Sequence, residues 1–264
     1  MAPEGGFTAI VLAAQRGGRL DPLAAEAGVS HKCLVPIGGR PLLSHVLAAL
    51  ARVDGIARIR ISVEPGAEAG LRAVSGAAGA TPVEFVAAAE TITDSVYAAA
   101  EGSPGPLIVT TADNVLLTAD AVRRVADRLF AGDDVVMALS RKEDVLSAHP
   151  QGQRRFYRFT DDSYSNCNLY GLSRAGLVLA ETFRSGGQFA KNPIRIVQAF
   201  GLINLIILRY GLISLERGLE KLGGRFGVRA SAVVLKDGAH AIDVDNARTY
   251  SIAAQLLERR AAWS

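Results

Sequence analysis

The sequence predicts an α/β protein: an open, mostly parallel sheet with helices on both faces, joined to a mainly helical insertion. Two observations from the first half of the chain support this class. Short apolar runs, such as FTAIVLAA over 7–14, alternate with segments whose apolar residues recur at helical spacing. These runs are continuously apolar, as expected of strands buried on both faces of a sheet. The chain is also long enough for a large core, with 264 residues of which 49% are hydrophobic.

The elements of the first half follow one another in a regular order. Strands are expected at 7–14, 57–63, 83–87, 107–114 and 134–140, and helices at 41–52, 66–76, 93–101 and 119–131. Thr93 or Asp94 is expected to cap the third of these helices and Thr118 the fourth, because both residue types accept hydrogen bonds from free helical N–H groups. A Gly-Gly turn at 38–39 precedes the first helix. This alternation is typical of a Rossmann-like sheet.

The second half is less regular. Residues 154–172 are typical of two strands around a polar turn, 174–222 are mainly helical, and a strand near 230–236 precedes a C-terminal helix over 246–262. We therefore expect one domain over 1–264, with a core formed by 7–140 and 230–262 and an insertion at about 141–229.

Composition and charge exclude several classes of protein. The net charge of +3 does not indicate a nucleic-acid-binding protein, and the presence of only two cysteines excludes a small domain stabilised by several disulfides. Cys33, although beside Lys32, is expected to be a buried structural thiol. The N-terminus lacks the pattern of a signal peptide, so a cytoplasmic protein is expected.

The segment 196–215, IVQAFGLINLIILRYGLISL, is predominantly apolar. Polar residues, among them Gln198, Asn204 and Arg209, interrupt it, so it is not expected to span a membrane. Two interpretations stay open. It is either a buried helix pair, or a surface that meets a lipid, a bilayer or a partner subunit, which would make the protein peripheral to the membrane.

A glycine- and arginine-containing loop, LAAQRGGRL over 12–20, follows the first strand. Ligands of open α/β sheets bind at the carboxyl ends of the strands, so this loop is the expected phosphate site. Gly17 and Gly18 allow close approach to an anion, and Arg16 and Arg19 add positive charge. The loop is neither a P-loop nor a G-x-G-x-x-G fingerprint. A purely structural loop is the alternative.

The loop and the downstream segment HKCLVPIGGRPLL (31–43) together resemble the nucleotidyltransferase superfamily of sugar-phosphate nucleotidyltransferases, cytidylyltransferases and MobA-like guanylyltransferases. That superfamily typically shows Leu-Ala-Gly-Gly-x-Gly-Thr-Arg-Leu and then Pro-Lys-x-Leu-x-Pro-x-x-Gly-x-Pro-Leu. This sequence departs from the pattern at Gln15, where glycine is usual, at His31, where proline is usual, and in a longer spacer before Lys32. These departures indicate an outlying member.

The resemblance implies transfer of a nucleoside monophosphate from a nucleoside triphosphate to a phosphorylated acceptor, with release of pyrophosphate. Lys32 would bridge phosphates, and Arg16 and Arg19 would hold the leaving pyrophosphate. The residues that would bind the nucleotide are Ala13, Ala14, Gln15, Gly17, Gly18 and Ser95.

The resemblance also implies Mg²⁺ as cofactor. Asp113 ends a strand that is predicted to be buried, where a lone carboxylate is costly unless it is paired or binds metal. Asp243, in the turn AIDVDNA, matches the second metal ligand of the superfamily. Asp245 would either support the metal or cap the last helix.

The acceptor is expected to bind on the side of the insertion, where Asn166, Asn168, Lys191 and Arg195 are candidate ligands of its phosphate; Lys191 is alternatively a solvated residue. CTP is the favoured donor, and the acceptor is a small alcohol phosphate or a lipid precursor. The alternatives are a GTP-dependent guanylyltransferase for a cofactor, a relative that binds nucleotide without transfer, and a retaining glycosyltransferase with an Asp-x-Asp site.

Overall fold

The structure is a computed structural model, and it describes residues 6–15, 19–103, 105–177 and 212–262. The strands are β1 (Phe7–Leu12), β2 (Pro36–Ile37), β3 (Arg40–Pro41), β4 (Ile56–Val63), β5 (Val83–Ala87), β6 (Leu107–Thr111), β7 (Val135–Arg141), β8 (Tyr157–Arg158), β9 (Ser163–Leu172) and β10 (Ala230–Val234). The helices are α1 (Pro22–Glu26), α2 (Leu42–Leu50), α3 (Glu68–Ser75), α4 (Ile92–Ala100), α5 (Ala119–Phe130), α6 (Lys142–Ala148), α7 (Leu215–Phe226) and α8 (Ala247–Ala262).

The main sheet has the strand order β10-β7-β9-β6-β1-β4-β5. Strands β5, β4, β1 and β6 run parallel to one another, β10 is parallel to β7, and β9 is antiparallel to both β6 and β7. Alternate residues of β1 face opposite sides: Ala9 packs in one apolar cluster with Leu47 of α2, while Ile10 packs in another with Val96 of α4. Helices therefore cover both faces, which confirms the predicted fold class.

The strand β9 belongs to the main sheet. It lies within the segment 141–229, which was predicted to be an insertion, but it pairs along its length with the centre of the main sheet. Both faces of β9 are covered: Cys167 and Leu169 pack in one apolar cluster with Val136 of β7, and Tyr164 packs in another with Leu139. Of the rest of that segment, residues 178–211 lie outside the described residues.

Threonine side chains cap the N-termini of α5 and α4. Thr118 caps α5 as predicted, accepting from the N–H of Ala121. The prediction for α4 was wrong by two or three residues: the cap is Thr91, whose Oγ1 accepts from the N–H of Asp94 at 3.0 Å. Thr91 already has the extended backbone that a cap requires, with ψ at 156°.

The turn Gly38–Gly39 joins β2 to β3 in a two-residue hairpin. Its φ angles are +56° and +80°, a conformation that glycine adopts without strain. The apolar segment 196–215 lies outside the described residues up to 211. Among the residues described, no helix combines the length and apolar character needed to cross a membrane.

Candidate functional site

The carboxyl ends of β1, β4 and β6 meet at one edge of the sheet because these strands are parallel neighbours. The first half of β9, which is antiparallel, reaches the same edge. Polar residues follow each strand at this edge: Gln15 after β1, Glu64 after β4 and Asp113 after β6. This edge is where open α/β sheets bind their ligands.

Lys32 and Asp113 form the centre of the site. Lys32 Nζ lies 2.5 Å from Asp113 Oδ2 and 3.6 Å from Asp245 Oδ1. The N–H of Val244 donates to the carbonyl of Asp113 at 3.2 Å, which ties the loop before α8 to the end of β6. The structure thus brings together residues that lie more than 200 positions apart in sequence.

The charge of Lys32 is held by its acidic neighbours. Burial alone would lower the pKa of its ammonium, but the carboxylate of Asp113, with smaller contributions from Asp245 and Asp21, outweighs burial and raises the pKa. Lys32 is therefore a permanent positive charge at the sheet edge near neutral pH.

Asp243 is the deepest carboxylate of the site, with only 7% of the residue exposed. Its Oδ2 accepts from Asn168 Nδ2 at 2.5 Å, whereas its Oδ1 is buried and has no hydrogen-bond partner. Burial, followed by the negative charges of Asp113 and Asp245, raises the pKa of Asp243 well above its ordinary value. A buried, unpaired carboxylate oxygen is costly unless a further positive group binds it.

The unpartnered oxygens of the site test whether a divalent cation fits. Asp113 Oδ1, Asn114 Oδ1 and Thr111 Oγ1 are buried without a hydrogen-bond partner, as is Asp243 Oδ1. Mg²⁺ prefers oxygen ligands and usually takes one or two carboxylates, with the rest of its shell from water and substrate phosphates. Within the described residues, no group of three or more His, Cys, Asp or Glu side chains is arranged to hold a metal. The residues present therefore fit a cation that shares its ligands with a substrate, and not a closed protein cage.

Asp245 is more exposed than the other two aspartates, with 67% of its side chain accessible. It does not cap α8: the side chain that accepts there is Asn246, from the N–H of Thr249 at 3.2 Å. Asp245 therefore acts on the site through its charge, at the distance from Lys32 given above.

The loop after β1 is held by polar contacts on both sides. The side chain of Gln15 donates to the carbonyl of Ser30 at 3.0 Å and accepts from the N–H of Asp21 at 3.2 Å. Its own N–H donates to Glu64, whose carboxylate also lies 3.5 Å from His31 Nε2. The two departures from the superfamily pattern, Gln15 and His31, thus both contact Glu64.

Of the remaining predicted nucleotide and phosphate ligands in this loop, the structure describes Ala13, Ala14 and Arg19. Ala13 is buried and continues the pairing of β1, its N–H donating to the carbonyl of Ser62 at 2.9 Å, while Ala14 and Arg19 are exposed. Arg16, Gly17 and Gly18 lie outside the described residues.

Ser95 is 5% exposed and lies in the first turn of α4. Its Oγ accepts from the N–H of Ala89 at 2.9 Å and donates to the carbonyl of Thr91 at 2.9 Å. Ser95 therefore fixes the loop between β5 and α4, and any contact with a nucleotide would be made by that loop.

Of the predicted acceptor ligands, the two asparagines lie at the same edge as the carboxylates. Asn166 Nδ2 donates to Asn168 Oδ1 at 2.8 Å and to the hydroxyl of Tyr170 at 2.5 Å. Lys191 and Arg195 lie outside the described residues.

Sequence reasoning missed several polar residues of the site. Asn114 is fully buried and donates to the carbonyl of Cys167 at 3.0 Å, and Glu64 anchors the loop. Both follow apolar strands, so the position rule that selected Asp113 could also have selected them. Cys33 is buried as predicted, and burial raises the pKa of its thiol to about 12, which keeps it unreactive.

Comparison with known proteins gives three kinds of match. The model of the MobA-like NTP transferase domain matches residues 9–200. The bifunctional protein GlmU of Rhizorhabdus wittichii is 32% identical over 146 residues, which cover 53% of this chain and 30% of that protein. The chain thus spans less than a third of the length of this relative.

Solved structures match over nearly the whole chain. A hypothetical transferase from Thermus thermophilus superposes with a TM-score of 0.74 at 27% identity, covering 95% of this chain and 100% of its own. The 4-diphosphocytidyl-2C-methyl-D-erythritol synthase of Anaerococcus prevotii has a TM-score of 0.59 at 11% identity and covers 96% and 99% of the two chains. At that identity it shows the fold alone.

Proposed function

Because the chain belongs to the family of MobA-like NTP transferase domains, and so to the nucleotidyltransferase class of enzymes, we propose that it transfers a nucleoside monophosphate, with Mg²⁺, from a nucleoside triphosphate to a phosphorylated acceptor. Pyrophosphate is the second product. The acceptor's phosphate oxygen forms a bond to the α-phosphorus, and the bond between the α-phosphorus and the bridging oxygen of the pyrophosphate breaks.

One observation carries the proposal: Asp113 and Asp243 converge beside Lys32, and each keeps one buried oxygen without a hydrogen-bond partner. Two carboxylates with free oxygens next to a fixed ammonium suit a site that receives a cation together with anionic phosphates. A purely structural ion-pair network would leave such oxygens satisfied.

The chain's residues would mainly position charges, because both reactants are anions. Asp113 and Asp243 would hold Mg²⁺, which supplies a Lewis acid for the phosphate oxygens when bound. Lys32 would neutralise phosphate charge, a role that its raised pKa supports. Arg19, exposed at the loop, would bind the leaving pyrophosphate together with Arg16.

CTP is the donor that we favour, on the resemblance of Ala13, Ala14 and Ser95 to the cytidylyltransferase pattern. Two structures with this fold have names that include a cytidylyl product or CTP, although their identities to this chain are only 11% and 14%. GTP is the second candidate, favoured by the description of the matching family as MobA-like. Both donors would use the same site, and they are distinguished by which nucleotide supports the reaction.

The acceptor is proposed to be a small alcohol phosphate or a lipid precursor, bound near the start of β9. Asn166 and Asn168 lie at that edge, and Lys191 and Arg195 would contribute positive charge. The lipid alternative depends on the segment 196–215. It predicts that vesicles or detergent raise the rate with a lipid phosphate and leave the rate with a soluble acceptor unchanged.

The test is pyrophosphate release from CTP, GTP, UTP and ATP with Mg²⁺, each against phosphorylated alcohols, sugars and lipid phosphates. We expect one donor to exceed the others, CTP first. Asp113→Ala serves as the inactive control, and Arg72→Ala, on the exposed surface of α3, as the matched variant with unchanged activity. Nucleotide binding in calorimetry with no turnover for any acceptor would contradict transfer and favour a relative that only binds nucleotide.

A further inference from the structure

We propose that Asn168 is a positioning residue for the cation site: its side-chain amide fixes the carboxylate of Asp243 so that one oxygen stays free for the metal. This inference rests on the proposed function, and it replaces the expectation that Asn168 binds the acceptor phosphate.

The backbone at Asn168 is built to aim this side chain. Its φ is +46°, and it is the one described residue other than glycine with a positive φ. Met137 of β7 pairs with Tyr170, and Leu139 pairs with Asn166, so β9 places three residues opposite one residue of β7. Such a bulge redirects a side chain out of the regular alternation of a strand, and asparagine tolerates the left-handed conformation better than most residues.

The orientation of the amide is fixed from the other side. Asn168 Oδ1 accepts from Asn166 Nδ2 at 2.8 Å, and the N–H of Asn168 donates to Asn166 Oδ1 at 3.2 Å. With its oxygen engaged by Asn166, the amide can present only its NH₂ group to Asp243, at 2.5 Å from Oδ2. Asn166 is itself anchored by the hydroxyl of Tyr170.

The consequence for Asp243 follows from which oxygen is engaged. Oδ2 is satisfied by Asn168, and Oδ1 is left buried and without a hydrogen-bond partner. Without the amide, the carboxylate could rotate, and neither oxygen would be held in place. Residues that hydrogen-bond to metal ligands orient them in this way, and their loss typically costs about 10- to 100-fold in metal affinity.

The test measures Mn²⁺ binding to the full chain by electron paramagnetic resonance, with Mn²⁺ alone as the probe and no substrate. Asn168→Gly removes the amide while keeping a residue that adopts the positive φ without strain. We expect its Mn²⁺ dissociation constant to rise by about 10-fold or more. Ser163→Ala, on the same strand and without a hydrogen bond to Asp243, should bind like the wild type.

Asn168→Ala adds backbone strain to the same loss of the amide. We expect it to match the Mn²⁺ affinity of Asn168→Gly but to melt at a lower temperature, which separates folding from metal binding. Equal Mn²⁺ affinity of Asn168→Gly and the wild type would overturn the inference and leave the proposed function intact. If the wild type bound no Mn²⁺, or bound it independently of Asp113→Ala, the proposed metal site itself would fail and this inference with it.

Discussion

Replacing Asp243 by asparagine should stabilise the protein and abolish its activity. The substitution preserves the shape of the side chain but removes a carboxyl group that is only 7% exposed, lies near two other carboxylates and leaves Oδ1 unpaired. An unpaired buried acceptor costs about 1–3 kcal/mol, and a charged one more. We therefore expect the metal-free variant to gain about 2 kcal/mol in its free energy of unfolding.

For a chain of this size, that gain corresponds to an increase of about 4–8 °C in melting temperature. The measurement is calorimetry or denaturant unfolding of Asp243→Asn and the wild type in EDTA at one pH near 8. With Mn²⁺ added, the wild type should gain stability and the variant should not. Turnover should fall by about 1,000-fold, or about 4 kcal/mol of transition-state stabilisation.

The stability of Asp243→Asn should rise while its turnover falls, and these opposite changes distinguish a metal ligand from a residue with a structural role. A residue that only supports the fold would lose stability and activity together. If Asp243→Asn destabilised the metal-free protein by more than about 1 kcal/mol, Oδ1 of Asp243 would have a stabilising protein partner in addition to the Asn168 contact at Oδ2, and the inferred free oxygen would be wrong.

Three further predictions follow from other contacts. Lys32→Met should lower turnover by about 100- to 1,000-fold without loss of the fold. If the variant instead bound nucleotide more weakly and kept its turnover at saturating nucleotide, a role of Lys32 in the transition state would be contradicted. Gln15→Gly removes two side-chain hydrogen bonds and should cost about 1–3 kcal/mol, measured by urea unfolding; an unchanged midpoint would show that the loop is held elsewhere. Burial lowers the pKa of His45 and His240, so the unfolded chain binds protons more readily and stability should fall as the pH drops from about 7 to 5, by up to about 1.4 kcal/mol per pH unit for each histidine. The variant H240N should flatten this slope, and a slope equal to that of the wild type would contradict the assignment.

The parallel part of the sheet could be predicted from sequence because each strand is buried on both faces. Runs such as LIVTT (107–111) are continuously apolar, and the helices between them show helical spacing and capping residues. The strand β9 was harder to place in the sheet, because its sequence SYSNCNLYGL alternates polar and apolar residues. That pattern does not reveal which strands β9 pairs with. Its polar residues Asn166 and Asn168 lie at the candidate site.

The placement of Asp113 and Lys32 at one edge of the sheet could be predicted, because Asp113 follows an apolar strand and Lys32 lies in a recognisable motif. The contact of Asn168 with Asp243, on which its proposed role rests, could not be predicted, because it depends on a bulge and on a residue 75 positions away. The same holds for Glu64: its contacts with Gln15 and His31 arise from strands that are adjacent in space and distant in sequence. Long-range pairing of polar groups is set by topology, which local pattern does not encode.

Transfer of a nucleoside monophosphate is tested most directly by following a radioactive phosphorus of the nucleoside triphosphate through the reaction. With [α-³²P]CTP, a phosphorylated acceptor and Mg²⁺, we expect the label to enter a new, larger product, and the label of [γ-³²P]CTP to leave as pyrophosphate. GTP is tested in parallel, and Asp113→Ala should transfer neither label. Transfer of the γ-label to the acceptor would mean that the enzyme is a kinase, and the proposed nucleotidyl transfer would be wrong.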